Sequence, residues 1–279
     1  MEVLVKELIE EATKLLKQNN ISDADTDSWL LAEHILGCTR QMYFMNPSLK
    51  VNDDLAGAYQ RAVLKRADHT PLQHITGTQC FMDYTFKVNE DVLIPRPETE
   101  LLVDRIVRFV GNKKVSVLDM CTGSGCIAIS IDKMCDGAKV DAVDISEKAL
   151  DVAKENNAKN NADVHFIHSD LFENVKNTYD IIVSNPPYIP SADIDELMEE
   201  VKNHEPTIAL DGKKDGLLFY KKICSQANDY LNENGKIYFE IGYDQGGAVK
   251  ELLKENHFKN IHVLKDLSGL DRMVIAGKE

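Results

Sequence analysis

Asn185-Pro186-Pro187-Tyr188 directly follows the run Tyr179-Asp180-Ile181-Ile182-Val183-Ser184. An apolar run that ends in a turn reads as a buried parallel strand. Two prolines cannot extend a central strand, because each lacks the N–H that the ladder needs, so the chain leaves the sheet here. In open α/β sheets ligands bind beyond the carboxyl ends of the strands. There the Asn185 side chain and the carbonyls of Asn185 and Pro186 face a crevice, with the Tyr188 phenol beside them. Such a set suits a planar group bearing an NH2, which needs acceptors in its plane and a surface against its face. The chemistry this points to is methyl transfer to an amide or amino nitrogen.

A second cluster could hold the methyl donor. Val115-Ser116-Val117-Leu118-Asp119 is a short strand leading into Met120-Cys121-Thr122-Gly123-Ser124-Gly125-Cys126-Ile127-Ala128. Gly123 and Gly125 allow a tight turn and close approach of a ligand, and Ala128 fills the small-residue position of the G-x-G-x-x-G/A pattern. The next strand, Lys139–Val143, closes on Asp144, whose carboxylate can accept both hydroxyls of a ribose. Asp144 alternatively caps the following helix at Ser146. These features fit a dinucleotide or S-adenosylmethionine equally. A dinucleotide would place its pyrophosphate on the helix N-terminus. S-adenosylmethionine has no phosphate, and its cationic groups favour nearby acids and carbonyls. Asp119 and the segment Ser169-Asp170-Leu171-Phe172 suit the latter, with Asp170 near the adenine amino group and Leu171 or Phe172 against the ring; as a plain alternative, Asp170 is a turn residue.

These loops need a frame. From residue 115 onward strands and helices alternate as in a doubly wound sheet. Strands are expected near 115–119, 139–143, 164–168, 180–184, 236–241, 261–265 and 272–276, and helices near 125–134, 147–160, 215–231 and 246–255. Residues 1 to about 70 read as three short helices: a stripe of Leu4, Leu8, Ile9, Ala12, Leu15 and Leu16; a second helix capped at Asp25 and ended by Gly37; and a third starting at Asn52-Asp53-Asp54 and running to Ala67. Their stripes are core rather than binding surface. Between the two regions, Phe81, Tyr84, Phe86, Val88, Val92 and Leu93 read as a hairpin, with Asn89-Glu90-Asp91 as its turn. Pro95-Arg96-Pro97-Glu98-Thr99-Glu100 then opens a helix, Pro97 suiting an acidic first turn. The expected organisation is a helical domain over 1–75, a hairpin linker over 76–94 and an α/β domain over 95–279.

Composition narrows the partners. At 279 residues and 43% hydrophobic, the chain can bury a sizeable core. Its net charge of -14, from 46 acids and 32 bases, repels a polyphosphate backbone unless bases cluster. The sequence shows only dipeptides such as Lys113-Lys114 and Lys221-Lys222, which disfavours tight duplex nucleic-acid binding. The six cysteines form no C-x-x-C pair and no zinc-type spacing, so no metal site is expected and they read as buried thiols of a reducing cytoplasm. Met1–Glu7 lacks the features of a signal peptide, and no stretch reaches membrane-spanning length without charges.

With these residues in view, the chain resembles the class I S-adenosylmethionine-dependent methyltransferases. More closely, it is similar to the peptide chain release factor glutamine N5-methyltransferase family. The likeness runs through Leu93–Glu100, the glycine loop, Asp144, Ser169-Asp170 and Asn185–Ile189, then His204-Glu205-Pro206, Asp215-Gly216-Leu217, Phe239–Gly242 and Asp266–Gly269. The first 70 residues match in length and helical character more than in motif. One departure stands out: Cys121 occupies a position that is usually Gly in that family. The loop keeps its role there if the position needs small size rather than a left-handed backbone. The thiol also raises the question of oxidation beside bound cofactor.

The resemblance implies a mostly parallel, seven-stranded Rossmann-like methyltransferase sheet with a small N-terminal helical domain. It implies S-adenosyl-L-methionine as cofactor, held by Asp119, Cys121, Thr122, Gly123, Ser124, Gly125, Asp144, Asp170, Leu171, Phe172 and Asn185, with S-adenosyl-L-homocysteine as product. The substrate would be the Gln of the Gly-Gly-Gln loop of a release factor, bound by Asn185, Pro186, Pro187 and Tyr188. Asn185 and Pro186 would accept its two N–H bonds and Tyr188 would pack on its plane. The helical domain would recognise the body of the factor. His204, Glu205 and Arg96 are equally compatible with structural roles. Rival readings are a glutamine methyltransferase for a ribosomal protein and a DNA adenine amino-methyltransferase. A nicotinamide oxidoreductase would leave Asn185–Tyr188 without a role, and a non-catalytic binding module would need neither Asn185 nor Asp144.

Overall fold

A computed structural model describes residues 2–278 and divides the chain into two compact units. The first comprises the segment ending at Gly77 together with Met198–His204; the second comprises Thr78–Leu197 and the segment beginning at Glu205. The return of Met198–His204 to the helical unit has no counterpart in the sequence reading.

In the first unit, β1 (Glu2–Leu4) leads into α1 (Val5–Gln18), followed by α2 (Ala24–Leu36), α3 (Arg40–Met45), β2 (Lys50–Asn52), α4 (Asp53–Ala67) and α5 (Leu72–Thr76). The three expected helices are present as α1, α2 and α4. The Asn52 side chain caps α4 by accepting from the Leu55 N–H, and Gly37 ends α2 in the left-handed region at φ 64°. Asp23 rather than Asp25 precedes α2. The short α3, α5 and β1–β2 pair fall below the length at which periodicity is legible. Inside the unit Arg66 donates to Asp27 at 2.6 Å and pairs with Glu200 of α9 (Glu199–His204) at 2.8 Å, which ties the returning segment to α4.

The second unit opens with β3 (Thr78–Phe81) and β4 (Tyr84–Lys87), an antiparallel hairpin. Its turn is Met82-Asp83, both at positive φ (49° and 64°), as a tight two-residue connection requires. Asn89–Asp91 forms a separate turn after the hairpin, where the Asn89 side chain accepts from the Asp91 N–H. The sequence reading therefore put the turn too late. Met-Asp lacks the Asn-Gly signature, and Asn89-Glu90-Asp91 has the stronger turn composition.

Next come α6 (Pro97–Val110), β5 (Val115–Met120), α7 (Cys126–Met134), β6 (Ala138–Asp144), α8 (Glu147–Lys159), β7 (His165–His168) and β8 (Tyr179–Ser184). After a 3-10 turn at Ile194–Glu196 and α9, the unit resumes with α10 (Thr207–Leu210), α11 (Leu218–Tyr230), β9 (Leu231–Glu240), α12 (Gly246–Glu255), β10 (Lys259–Lys265) and β11 (Asp271–Gly277). Seven strands form one sheet in the order β10-β11-β9-β8-β5-β6-β7, with β11 antiparallel to both neighbours and the remaining pairs parallel. This is the expected doubly wound, mostly parallel architecture.

Helices cover both faces, which is why the central strands are apolar at successive positions. Val117, Ile181 and Tyr238 pack with α6 and α7 on one face, while Leu118, Ile182 and Ile237 pack with α11 and α12 on the other. The chain order reverses at β5, with β6 on one side and β8 on the other. Their carboxyl ends therefore open a crevice at the switch point, where α/β sheets bind ligands.

Candidate active site

A cavity of about 330 Å³ opens at that switch point. Among the residues singled out from the sequence, Cys121, Thr122, Gly123, Ser124, Asp144, Asp170, Leu171, Asn185 and Pro187 line it. Asp119, Gly125, Phe172, Pro186 and Tyr188 do not. Thus the loop after β5, the acid ending β6 and the turn after β8 line one cavity, as adjacent parallel strands dictate.

The glycine loop is held from below by Asp119. That side chain is fully buried, and its Oδ2 accepts from the Thr122 hydroxyl at 2.6 Å and from the Ala128 N–H at 3.2 Å. Its Oδ1 has no hydrogen-bond partner among the described residues, and burial pushes the carboxyl up to about 7. Gly125, at φ 80°, lies at the start of α7, where a Cβ would stand 3.0 Å from Ile129 and 3.2 Å from Ala153. Helix packing, rather than ligand contact, explains that glycine. Gly123 at φ 55° has open space where its Cβ would be, and its N–H donates to Asp144 Oδ2 at 2.8 Å. Asp144 Oδ1 accepts from the Ser146 N–H at 2.9 Å, so the acid organises both loops and also lines the cavity. Burial raises its pKa.

Cys121 sits at φ 62°, in the left-handed region. Cys121 thus keeps a left-handed backbone, so small size alone does not describe this position. A non-glycine residue pays about 1–2 kcal/mol for it. Strain of this kind recurs at Leu171, φ 50°, on the facing loop. The Cys121 thiol packs against the sheet core, and burial pushes its pKa well up, which keeps it protonated and slow to oxidise. Leu171 reaches the cavity, whereas Phe172 is 1% exposed and stacks on Tyr230 at 4.4 Å inside the core. Asp170 is exposed, 4.0 Å from Lys222.

The turn after β8 is braced on several sides. The Gln245 side chain donates to the Tyr188 carbonyl at 2.8 Å and accepts from the Gly242 N–H at 3.0 Å. Ile189 and Gly212 exchange backbone contact, the Gly212 N–H donating to the Ile189 carbonyl at 2.8 Å. Burial pushes the Tyr188 phenol up to about 12. Glu205 is buried, accepts from the Ile94 N–H at 3.1 Å and pairs with Arg96, which lines the cavity. Its role is to hold the Leu93–Pro97 segment. Gln245, Thr99 and Glu240 are site residues to which the sequence reading gave no role. The available signal was a carboxylate closing the apolar run Ile237-Tyr238-Phe239-Glu240.

Gly216 gives a direct test of this bracing. It sits at φ 69°, and a Cβ there would lie 2.3 Å from the Tyr188 carbonyl oxygen and 2.5 Å from Gln245 Nε2. Gly216→Ala is expected to cost more than the roughly 1–2 kcal/mol of left-handed strain alone and to cut turnover at least about 10-fold by displacing the turn. Gly247→Ala, whose Cβ would meet nothing within 4 Å, serves as the control. Thermal unfolding and turnover measured side by side read both effects.

The donor set discriminates between cofactors. At the start of α7 the Asp119 carboxylate already takes the Ala128 N–H, so a pyrophosphate there would meet a like charge. A phosphate-free, cationic cofactor fits instead: it brings no like charge to the loop that Asp119 holds, and it offers a diol to Asp144, which lines the cavity.

Residues 97–204 match the methyltransferase small domain, and residues 7–77 match the PrmC N-terminal domain. The chain is 37% identical over 282 residues to a release factor glutamine methyltransferase of Clostridium botulinum, covering 99% of this chain and 100% of the relative. This chain belongs to the release factor glutamine methyltransferase family. A second member, from Streptococcus pneumoniae, is 46% identical over 75% of this chain and 76% of its own. Among solved structures, the ribosomal protein L11 methylase of Lactobacillus delbrueckii subsp. bulgaricus aligns with a TM-score of 0.50 at 26% identity, over 66% of this chain and 81% of that one. Membership makes the chain an S-adenosylmethionine-dependent methyltransferase. No helix among the described residues is long and apolar enough to cross a membrane.

Proposed function

We propose that this chain transfers a methyl group from S-adenosylmethionine to the side-chain amide nitrogen of the Gln in the Gly-Gly-Gln motif of peptide chain release factors. The observation that carries the reading is the shared cavity: Asn185 and Pro187 of the β8 turn line the same cavity as Gly123 and Asp144. Full-length kinship to relatives named for this substrate supports it.

When bound, S-adenosylmethionine supplies a methyl group already activated on a sulfonium. The chain's own work is to bind and orient. Asp144 accepts the ribose hydroxyls, with the Gly123 and Ser146 N–H groups holding its carboxylate in place. An amide nitrogen is a poor nucleophile because its lone pair is delocalised into the carbonyl. Asn185 Oδ1 and the Pro186 carbonyl accept its two N–H bonds, fix the nitrogen and favour its pyramidal, more nucleophilic form. Tyr188 packs against the amide plane. With its phenol pushed up to about 12, Tyr188 stays neutral and is no base, so the proton leaves to water after transfer. The helical unit recognises the body of the factor while the cavity takes the Gln. This assigns the enzyme to the cytoplasm, where release factors act, and needs no nucleic acid or membrane.

Labelled methyl transfer tests the reading, with a purified release factor, a ribosomal protein L11 and duplex DNA offered separately. Label on the release factor is the expected result. Label on L11 or on DNA adenine alone would transfer the chain to the corresponding rival substrate.

A further inference from the structure

The geometry points to Thr99 and Glu240 as positioning residues that fix which end of the Asn185 carboxamide faces the substrate. This deepens the glutamine-methylation reading and rests on it. Thr99, in the first turn of α6, and Glu240, the last residue of β9, are each 2% exposed. The Thr99 hydroxyl lies 2.6 Å from Glu240 Oε2, and Asn185 Nδ2 makes a long 3.5 Å contact with the same hydroxyl. Among the groups that act on the Glu240 carboxyl, the Asn185 side chain favours its ionised form, as a donor NH2 turned towards it would.

The polarity of this chain of groups follows from the inventory of donors and acceptors. An ionised carboxylate only accepts, so the Thr99 hydroxyl spends its one proton on Glu240. Towards Asn185 that hydroxyl can then only accept, which demands the NH2 end of the carboxamide. Both Thr99 and Glu240 therefore select the NH2 end, and Asn185 Oδ1 is turned the other way, free for the substrate NH2. A flipped carboxamide would set NH2 against NH2 and lose the bond on which nucleophile orientation depends.

Several groups face Glu240: Glu98 of α6, Arg272 of β11, Tyr188 beyond β8, Tyr220 of α11 and Cys126 of α7. The Tyr220 hydroxyl donates to its backbone carbonyl at 2.8 Å. Burial dominates and pushes the Glu240 carboxyl up to about 7. Once protonated, Glu240 can donate to Thr99, the hydroxyl can turn its proton to Asn185, and the flipped carboxamide becomes compatible. The lock therefore strengthens as the pH rises through about 7 and weakens as it falls.

The test compares Glu240→Gln, Thr99→Val and Thr99→Ser with the wild-type enzyme, on release factor with saturating S-adenosylmethionine. Glutamine can donate at every pH, so Glu240→Gln is expected to lower kcat about 10-fold or more and to abolish the rise of kcat through about pH 7. Calorimetric affinity for S-adenosylmethionine should stay within about two-fold, because Glu240 does not line the cavity and Thr99, at its edge, is only 2% exposed. Thr99→Val should show the same kcat loss and Thr99→Ser should restore most of it, so a Glu240 variant that fails to fold leaves the prediction readable. A Glu240→Gln enzyme that binds cofactor normally and keeps both the wild-type kcat and its pH limb would overturn the inference. So would kcat losses matched by equal losses of cofactor affinity, the mark of a merely structural role. A wild-type enzyme inactive on every glutamine substrate would instead sink the underlying reading, and the two failures are distinct.

Discussion

Asn185→Ala is expected to lower kcat on a release factor by about 100- to 1,000-fold, the range seen when one preorganised polar group is removed from a reacting centre. Asn185 borders the cofactor cavity, but its carboxamide is directed by Thr99 and Glu240 rather than by the loops that hold the ribose. Cofactor affinity should therefore change by no more than about two- to three-fold, and KM for the factor should rise only modestly. Such a split, with loss in kcat and little in binding, marks an interaction strongest in the transition state. Single-turnover transfer alongside calorimetry would measure it. An Asn185→Ala enzyme that turned over normally would mean that the β8 turn is only a strand ending.

Asp144→Ala should produce the opposite pattern. Two charge-assisted bonds to ribose hydroxyls are worth roughly 1.5–3 kcal/mol each. The substitution also releases the Gly123 and Ser146 N–H groups that the carboxylate holds at 2.8 and 2.9 Å. Affinity for S-adenosylmethionine is expected to fall at least about 100-fold, while kcat at saturating cofactor stays within several-fold. Burial raises the Asp144 pKa, so its carboxylate takes up a proton at a higher pH than an exposed one. Protonation removes acceptor capacity. Wild-type affinity should accordingly weaken as the pH falls, and the part of that dependence due to Asp144 should disappear in Asp144→Asn. Unchanged affinity in Asp144→Ala would reduce this residue to a cap for α8.

Much of the scaffold could be read from the sequence, because its signals are local. The apolar runs of β5, β6 and β8 announce strands buried on both faces, and the observed bounds lie within two residues of those expected. Asn52 and Gly37 act at the helix ends where their chemistry suits them. β9 was read too short because Asn232-Glu233-Asn234-Gly235 has turn composition, yet the strand begins at Leu231. That composition coincides with a shift in its pairing with β8.

The site divides along the same line. Motif residues that follow strands could be placed by the topology of an α/β sheet alone. The groups that orient them could not, because Thr99 stands 86 residues from Asn185 and 141 from Glu240 in the chain. Glu205 acts in the same way, reaching back 111 residues to the Ile94 N–H. Cys121 shows a different limit. Its residue type argued against a left-handed backbone, yet it adopts one in the loop between Asp119 and Thr122, whose side chains hydrogen-bond each other.

Mass spectrometry of the product locates the transferred methyl group. A purified release factor is incubated with the enzyme and S-adenosylmethionine, digested, and sequenced by fragmentation, beside a factor carrying Gln→Ala in its Gly-Gly-Gln motif. The expected result is one added methyl group on the side-chain nitrogen of that glutamine and none on the substituted factor. A methyl group at any other residue, or equal modification of both factors, would contradict it.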